Sequence, residues 1–183
     1  LRAWIVTAEP GAAFRAALGK AMQERFGTDG SYAVFVRSDT NVEDLPGFSG
    51  AGLNLTLPNV TGLDRVVESI LQVWASPFSE RAFAWRQMRM EAPEHVYVSV
   101  LLQRSVPAEK SGVMVTQDLE SGSPGAYTIA ANEGVGGAVS GQAAEELLVS
   151  AGTGEVRLLA EASAATRRVL SAGSGLEKQP VSG

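Results

Sequence analysis

The chain has 183 residues, of which 45% are hydrophobic and 19% are charged, and its formal net charge is −5. This composition excludes intrinsic disorder and collagen-like structure, and the length suits one ordinary domain or a large piece of one. Because there are no cysteines, disulfide scaffolds, thiol nucleophiles and cysteine-ligated zinc are excluded, and a reducing, cytoplasmic location is expected. The acidic balance argues against nucleic-acid binding, and no apolar run approaches the roughly 18 residues that a membrane span needs.

Both ends of the sequence are typical of a piece cut from a longer protein. Residue 1 is leucine, and no secretory-signal pattern follows it. Residues 175–183 are expected to form a loop that stops in mid-course, and residues 161–183 a tail that leads toward a missing segment. We therefore expect an internal fragment.

Helices are predicted in the first half of the chain. Apolar residues recur every four positions between residues 11 and 26, and another apolar face spans residues 63–75. Thr61 and Asp64 have the spacing of a capping arrangement for that second helix. Ser76 is the predicted N-cap of a third helix, whose Arg81 and Arg86 are expected on the outer side with structural roles.

Strand patterns dominate the rest of the sequence. A first short strand is predicted at residues 32–36, between the first two helices. Later strands are predicted at residues 96–103, 112–116, 126–131 and 155–159. Pro- and Gly-containing loops separate these later strands, which indicates an antiparallel meander. The sequence thus predicts an α+β fold with helices packed on a mostly antiparallel sheet.

The stretch 36–52 combines an arginine at a predicted strand end with a glycine-rich loop. The guanidinium of Arg37 offers a fixed set of donors that suits phosphate oxygens, and Gly47, Gly50 and Gly52 let backbone N–H groups approach an anion closely. An ordinary surface turn with a solvated arginine explains the same residues. The stretch is not a Walker loop, because no Gly-Lys-Ser/Thr follows it.

Several longer motifs occur in a fixed order over residues 34–141. They read Val-Arg-Ser-Asp-Thr-Asn-Val-Glu-Asp-Leu-Pro at 36–46, Gly-Ala-Gly at 50–52, Pro-Asn-Val at 58–60, Val-Trp-Ala-Ser-Pro-Phe-Ser-Glu-Arg-Ala at 73–82, Val-Leu-Leu-Gln-Arg-Ser-Val at 100–106, Ser-Gly-Val-Met-Val-Thr at 111–116 and Gly-Val-Gly-Gly-Ala-Val-Ser-Gly at 134–141. Together they resemble the ATP-binding domain of the pyruvate phosphate dikinase and phosphoenolpyruvate synthase family. Rifampicin phosphotransferases and starch-phosphorylating water dikinases share this module.

The resemblance implies an ATP-grasp fold, in which ATP lies between two α+β subdomains, and residues 1–183 would be a fragment of one such nucleotide-binding domain. Carried over by position, Arg37 would contact the ATP phosphates as the catalytic clamp. Gly52 and Thr56 would belong to the loop that covers the phosphates, and Gln103 would lie on the hinge strand that reads adenine. The implied cofactors are ATP and Mg²⁺.

The intact protein would, by the same resemblance, phosphorylate a histidine on a separate swivelling domain, which passes the phosphoryl group to pyruvate or another acceptor. The family's essential lysine and metal-binding glutamate would lie outside this chain, so the fragment alone is expected to be inactive. Gly137 stands where the family has a glutamate. Two alternatives remain open: a non-catalytic nucleotide-binding or structural module, and a dikinase acting on a glucan or an antibiotic.

Overall fold

A computed structural model describes residues 1–41, 44–45, 48–49 and 55–181. The chain divides into two compact units. The first contains Leu1–Ser105 together with Ala172–Gly175, and the second contains Val106–Ser171 and resumes at Leu176. In the described ranges, every helix is too short or too polar to cross a membrane.

The first unit combines four helices with a three-stranded sheet. Its helices are α1 (Arg2–Val6), α2 (Ala12–Phe26), α3 (Leu63–Ala75) and α4 (Glu80–Arg89), with a 3₁₀ turn at Ser76–Phe78. Its strands are β1 (Ala33–Thr40), the short hairpin β2 (Asp44–Leu45) and β3 (Phe48–Ser49), β4 (Thr56–Thr61) and β5 (Val98–Arg104). The central strand β1 pairs antiparallel with both β4 and β5.

One face of this sheet carries the core of the first unit. Successive strand residues point to opposite faces, and Val34 and Val36 of β1 are fully buried. They pack with buried residues of the helices, namely Met22 of α2 and Val66, Ile70 and Val73 of α3. The amphipathic pattern that predicted α2 and α3 is thus used to cover the same face of the sheet.

The start of α3 differs from its predicted cap. Its N-cap residue is Gly62, which has a positive φ of 86° and no side chain to accept a hydrogen bond. The hydroxyl of Thr61 donates instead to the carbonyl oxygen of Gly173 at 3.1 Å. The backbone N–H of Leu63 donates to Asp29 Oδ1 at 3.0 Å, so an acceptor from a distant loop serves this helix end.

The third predicted helix also begins later than expected. Ser79, and not Ser76, is the N-cap of α4, because its hydroxyl accepts a hydrogen bond from the N–H of Ala82 at 3.2 Å. Ser76 lies in the preceding 3₁₀ turn, where its hydroxyl donates to the carbonyl oxygen of Val73 at 2.8 Å. The chain therefore turns once before α4 starts.

Arg86 lies inside the first unit, which corrects its predicted place on the outer side of α4. Its side chain is 5% exposed. The guanidinium donates to the carbonyl oxygens of Pro77 and Pro93 and lies within 6 Å of the ring centroids of Phe78 and Phe83. Burial lowers its pKa from the ordinary arginine value. Its predicted structural role agrees with these contacts.

The second unit is built from two antiparallel sheets. A four-stranded meander contains β6 (Lys110–Val115), β7 (Ala126–Glu133), β8 (Glu145–Ser150) and β9 (Val156–Ala160), in that spatial order. A hairpin contains β10 (Thr166–Leu170) and β11 (Leu176–Pro180). A 3₁₀ turn at Ala138–Ser140 follows β7.

The strands that form the meander are not all the ones that were predicted. The strand predicted at residues 96–103 is β5, which belongs to the sheet of the first unit, while β8 was not predicted. The segment 175–183, expected to be a loop, contains β11 over Leu176–Pro180. The α+β class with antiparallel sheets is confirmed.

Candidate functional site

The face of the first sheet opposite the core presents a mixed polar and apolar surface, which we call the open face. On β1, Arg37 lies on this face because its neighbour Val36 points into the core. Leu101 of β5 is directly opposite Arg37 and is 50% exposed. Gln103 of β5 is directly opposite Phe35, two residues before Arg37, so it shares the same face.

A bulge in β4 decides which face Thr56 occupies. Val34 pairs with Val60, and Val36, two residues later in β1, pairs with Leu57. Because Leu57 is three residues from Val60, β4 contains one extra residue in this interval. This extra residue places Leu57 toward the core and Thr56 directly opposite Arg37. Without the bulge, simple alternation from Val60 would send Thr56 to the core face. The open face therefore contains Thr56 on the strand next to Arg37, directly opposite it in the pairing.

A direct hydrogen bond joins two of the predicted site residues. Arg37 Nη1 donates to Gln103 Oε1 at 3.0 Å, across the pairing of β1 with β5. Because arginine carries only donors, the accepting atom is the carboxamide oxygen, and this fixes the orientation of the amide. Both side chains are exposed, so the pair can meet a ligand at the surface of the sheet.

The sequence predicted Arg37 at the end of a strand. In the structure, Arg37 lies inside β1, which corrects this prediction. Strand β1 continues through Ser38 and Asp39 to Thr40. It pairs with β5 over this whole length, and the first residue of β5, Val98, is opposite Thr40. The polar residues after Arg37 are therefore part of the sheet. Arg37 is therefore part of a three-stranded sheet, and the pairing on both sides of β1 fixes its backbone more firmly than a turn would.

The structure thus brings Arg37, Thr56 and Gln103 to one face of one sheet. Gly52 lies outside the described residues. Phe35 and Leu101, two apolar residues on the same face, were not singled out from the sequence. The alternation of β5 could have identified Leu101, because it lies two positions before Gln103.

The described residues supply no complete magnesium site. Within residues 1–41, 44–45, 48–49 and 55–181, no group of three or more His, Cys, Asp or Glu side chains could hold a metal ion. Asp39 is an exposed carboxylate on the open face, but one carboxylate is a minimal share of the oxygen ligands that Mg²⁺ takes. Magnesium as a cofactor stays a prediction, and its glutamate ligand is expected outside this chain.

A cleft of about 730 Å³ lies elsewhere in the first unit. It is lined by residues of α1, α3 and the following 3₁₀ turn, among them Arg2, Glu68 and Gln72. Arg37, Thr56 and Gln103 are not among the described residues that line it. It competes with the open face as a binding surface, and the two locations can be distinguished by experiment.

Gly137, in the second unit, is closely surrounded by two amide side chains. A Cβ atom at this position would lie 2.6 Å from Gln142 Oε1 and 2.7 Å from Asn132 Cβ. Asn132 Nδ2 donates to the carbonyl oxygen of Ala143 at 2.9 Å, and Gln142 Nε2 donates to that of Thr166 at 2.8 Å. These two amides fill the space that a larger residue at 137 needs.

Comparison with known proteins identifies the family. Residues 1–182 match the family described as pyruvate phosphate dikinase, AMP/ATP-binding domain, and the chain belongs to this family. The predicted α+β, ATP-grasp-like fold class and the predicted family are both confirmed. The family description names AMP and ATP as ligands of this domain, which supports ATP as the predicted cofactor.

Curated relatives are phosphotransferases of two kinds. A phosphoenolpyruvate synthase from Pyrococcus furiosus is 36% identical over 140 residues, which is 75% of this chain and 17% of that protein. A rifampicin phosphotransferase from Bacillus subtilis is 37% identical over 115 residues, 63% of this chain and 13% of that protein. The matched part of the chain therefore spans less than a fifth of each of these relatives.

Proposed function

We propose that this chain binds Mg-ATP on the open face of its first sheet, as part of a larger phosphotransferase. The observation that carries the proposal is the convergence of Arg37, Thr56 and Gln103 on one face. These residues come from three strands and from separated motifs, and simple alternation from Val60 would have placed Thr56 on the other face. The membership of the chain in an AMP/ATP-binding family supports the same assignment.

Each of these groups has a chemical role toward a nucleotide. The guanidinium of Arg37 forms charge-assisted hydrogen bonds with phosphate oxygens, and the Thr56 hydroxyl can donate to a neighbouring oxygen. Phe35 and Leu101 offer apolar surface against which a purine ring can lie. Gly52, which lies outside the described residues, is proposed to give backbone N–H groups to the phosphates.

The intact protein is proposed to use ATP to phosphorylate a histidine on a separate swivelling domain, with pyruvate or another molecule as the final acceptor. Phosphoryl transfer depends on lysine, arginine and Mg²⁺ placed together around the transferred group. The described part of this chain supplies Arg37 for this purpose and no complete metal site. We therefore expect this chain to bind nucleotide and not to turn it over.

A specific residue supports a second candidate, a module that binds nucleotide without catalysis. The family resemblance implies a glutamate where this chain has Gly137, and Asn132 and Gln142 fill the space around Gly137. A glutamate side chain at this position would need both amides to move. The similarity to rifampicin phosphotransferase favours a further variant of the main proposal, in which an antibiotic is the acceptor.

Calorimetric titration with Mg-ATP tests the binding site. The wild-type chain is compared with Arg37→Met, which removes the guanidinium and keeps a similar length of side chain. Arg25→Met is the matched control, because Arg25 is an exposed arginine in the last turn of α2, away from the open face. Losing a hydrogen bond to a charged group costs about 1.5–3 kcal/mol, so Arg37→Met is expected to weaken binding by about 10- to 150-fold.

Equal affinities of the two variants would contradict the assignment of Arg37. Absence of ATP binding by the wild-type chain would contradict the proposed function itself. Adding the acceptors pyruvate and rifampicin to the full-length protein, with ATP consumption as the readout, distinguishes the two acceptor classes. No ATP consumption with either acceptor or with a glucan, together with intact binding, would favour the non-catalytic module.

A further inference from the structure

The hydrogen bond between Arg37 and Gln103 restricts what the Gln103 side chain can do. Its carboxamide oxygen already accepts from Arg37 Nη1 at 3.0 Å. The orientation of the amide follows from chemistry, because a flipped amide would set two donors against each other. Nε2 keeps its two donors, and Oε1 keeps one further acceptor lone pair.

A purine reader with a free carboxamide uses both of its groups. Adenine presents an amino group that donates and ring nitrogens that accept. A carboxamide oxygen has two lone pairs, and the bond from Arg37 uses one of them, so the contact with the guanidinium does not depend on a bound base. The geometry of Gln103 therefore gives it a role in holding the guanidinium, which can be tested separately from a role in reading the base.

The arginine needs such a partner. Its exposed side chain has several rotatable bonds, and ordering it for phosphate binding has an entropic cost. Gln103 lies on the neighbouring strand, opposite Phe35 and diagonal to Arg37, where its amide reaches one end of the guanidinium. Nη1 is the nitrogen that bonds to Gln103, and a guanidinium has further N–H donors with which to meet a phosphate.

We propose that Gln103 is a positioning residue, which holds Arg37 in the orientation that binds phosphate. This inference rests on the proposed function, since it assumes that Arg37 binds phosphate. It differs from the expectation derived from the family resemblance, in which Gln103 reads adenine. The two roles predict different responses to a ligand that has phosphates and no base.

The test compares ATP with inorganic tripolyphosphate, both with Mg²⁺, by calorimetric titration of the wild-type chain and of Gln103→Met. Methionine has a similar shape and cannot accept from Arg37 as an amide does. Gln87→Met is the control, because Gln87 is an exposed glutamine on α4. A positioning role predicts that Gln103→Met weakens both ligands by the same factor, about two- to tenfold, and that Gln87→Met changes neither.

A double-mutant cycle measures the coupling between Arg37 and Gln103 in ligand affinity, which a purely structural role of Gln103 would not produce. If Gln103 acts through Arg37, the double variant Arg37→Met/Gln103→Met binds tripolyphosphate no more weakly than Arg37→Met alone. Thermal unfolding of each variant verifies that the sheet is intact. Additive losses would mean that Gln103 contacts the ligand by itself, and this would overturn the proposal.

The results of these titrations test the proposed function and the positioning role of Gln103 separately. Loss of ATP affinity with unchanged tripolyphosphate affinity in Gln103→Met would assign Gln103 to the base and overturn the positioning role, while the proposed function stands. Absence of binding of both ligands to the wild-type chain would overturn the proposed function and this inference together. Equal losses combined with non-additivity support both.

Discussion

Asn59 and Gly175 are 116 residues apart in the sequence and are joined by a hydrogen bond, in which Asn59 Nδ2 donates to the carbonyl oxygen of Gly175 at 2.9 Å. The N–H of Gly175 in turn donates to the carbonyl oxygen of Asn59 at 3.1 Å. Asn59 has a positive φ of 52° and lies at the register shift of β4. This pair therefore stabilises the bulge that turns Thr56 toward the open face.

Substitution of Asn59 tests how the bulge is maintained. Asn59→Ala removes the bond to Gly175 and places a side chain without local hydrogen bonding in the left-handed region, so we expect a loss of about 1–3 kcal/mol in the free energy of unfolding. Asn59→Gly keeps the backbone conformation accessible and should be less destabilising. Urea denaturation measures both. If glycine is as damaging as alanine, the positive φ is not the main constraint.

Gly137 provides a test of close packing in the second unit. Because a Cβ atom would lie within 2.7 Å of atoms of both Asn132 and Gln142, Gly137→Ala should lower the free energy of unfolding by about 1–3 kcal/mol. Gly152→Ala is the matched control in the same unit, since nothing lies within 4 Å of its added Cβ and its φ is not in the left-handed region. Equal stability of the two variants would mean that the amides move aside at no cost.

Arg86 is expected to matter for stability although it is a charged residue. Arg86→Met leaves the carbonyl oxygens of Pro77 and Pro93 without this donor, and we expect a loss of about 2–4 kcal/mol in the free energy of unfolding. Arg81, on the same helix, is exposed, and Arg81→Met should stay within about 0.5 kcal/mol of the wild type. A similar small effect in both variants, measured by urea denaturation, would refute the buried role.

The pKa of Asp118 should lie below the ordinary value of an aspartate. The hydroxyl of Ser121 donates to Asp118 Oδ2 at 2.6 Å and the N–H of Glu120 donates to Oδ1 at 2.9 Å, and these bonds lower the pKa of the carboxyl below its ordinary value of 3.8. Because the folded-state pKa is depressed, the contribution to stability is present above the ordinary value and is lost as pH falls through the lowered pKa.

NMR titration of the Asp118 carboxyl carbon measures this shift directly. The Ser121→Ala variant removes the largest of the causes, and the Asp118 pKa should rise toward its ordinary value. An unchanged midpoint in Ser121→Ala would show that the backbone bonds alone account for the low pKa.

Local sequence patterns predicted α2 and α3, and both helices place apolar residues against the core of the first sheet, with Met22 from α2 and Val66, Ile70 and Val73 from α3. They did not predict α1, a five-residue helix without a buried residue. They did not predict β4, since its bulge at Asn59 breaks the two-residue alternation and Pro58 disfavours a strand. The hairpin of β10 and β11 also escaped prediction. Its strands contain charged residues such as Arg168 and Lys178, which are directly opposite each other, and this pairing is not visible in either strand alone.

The candidate site could be predicted in part from local sequence and in part depends on contacts between distant segments. Family motifs identified Arg37, Thr56 and Gln103 one by one. Their common face depends on the register of β1 with both neighbours and on the bulge of β4, which are set by contacts between distant segments. The burial of Arg86 was missed because its acceptors, Pro77 and Pro93, are turn carbonyls that a helical pattern does not reveal.

The most direct test of the open face as the nucleotide site is a map of backbone amide shifts during titration of the chain with Mg-ATP. We expect the largest changes at β1, β4 and β5, with Phe35, Arg37 and Gln103 among the residues most affected. Changes confined to the cleft of α1 and α3, around Glu68 and Gln72, would place the nucleotide elsewhere and contradict the account.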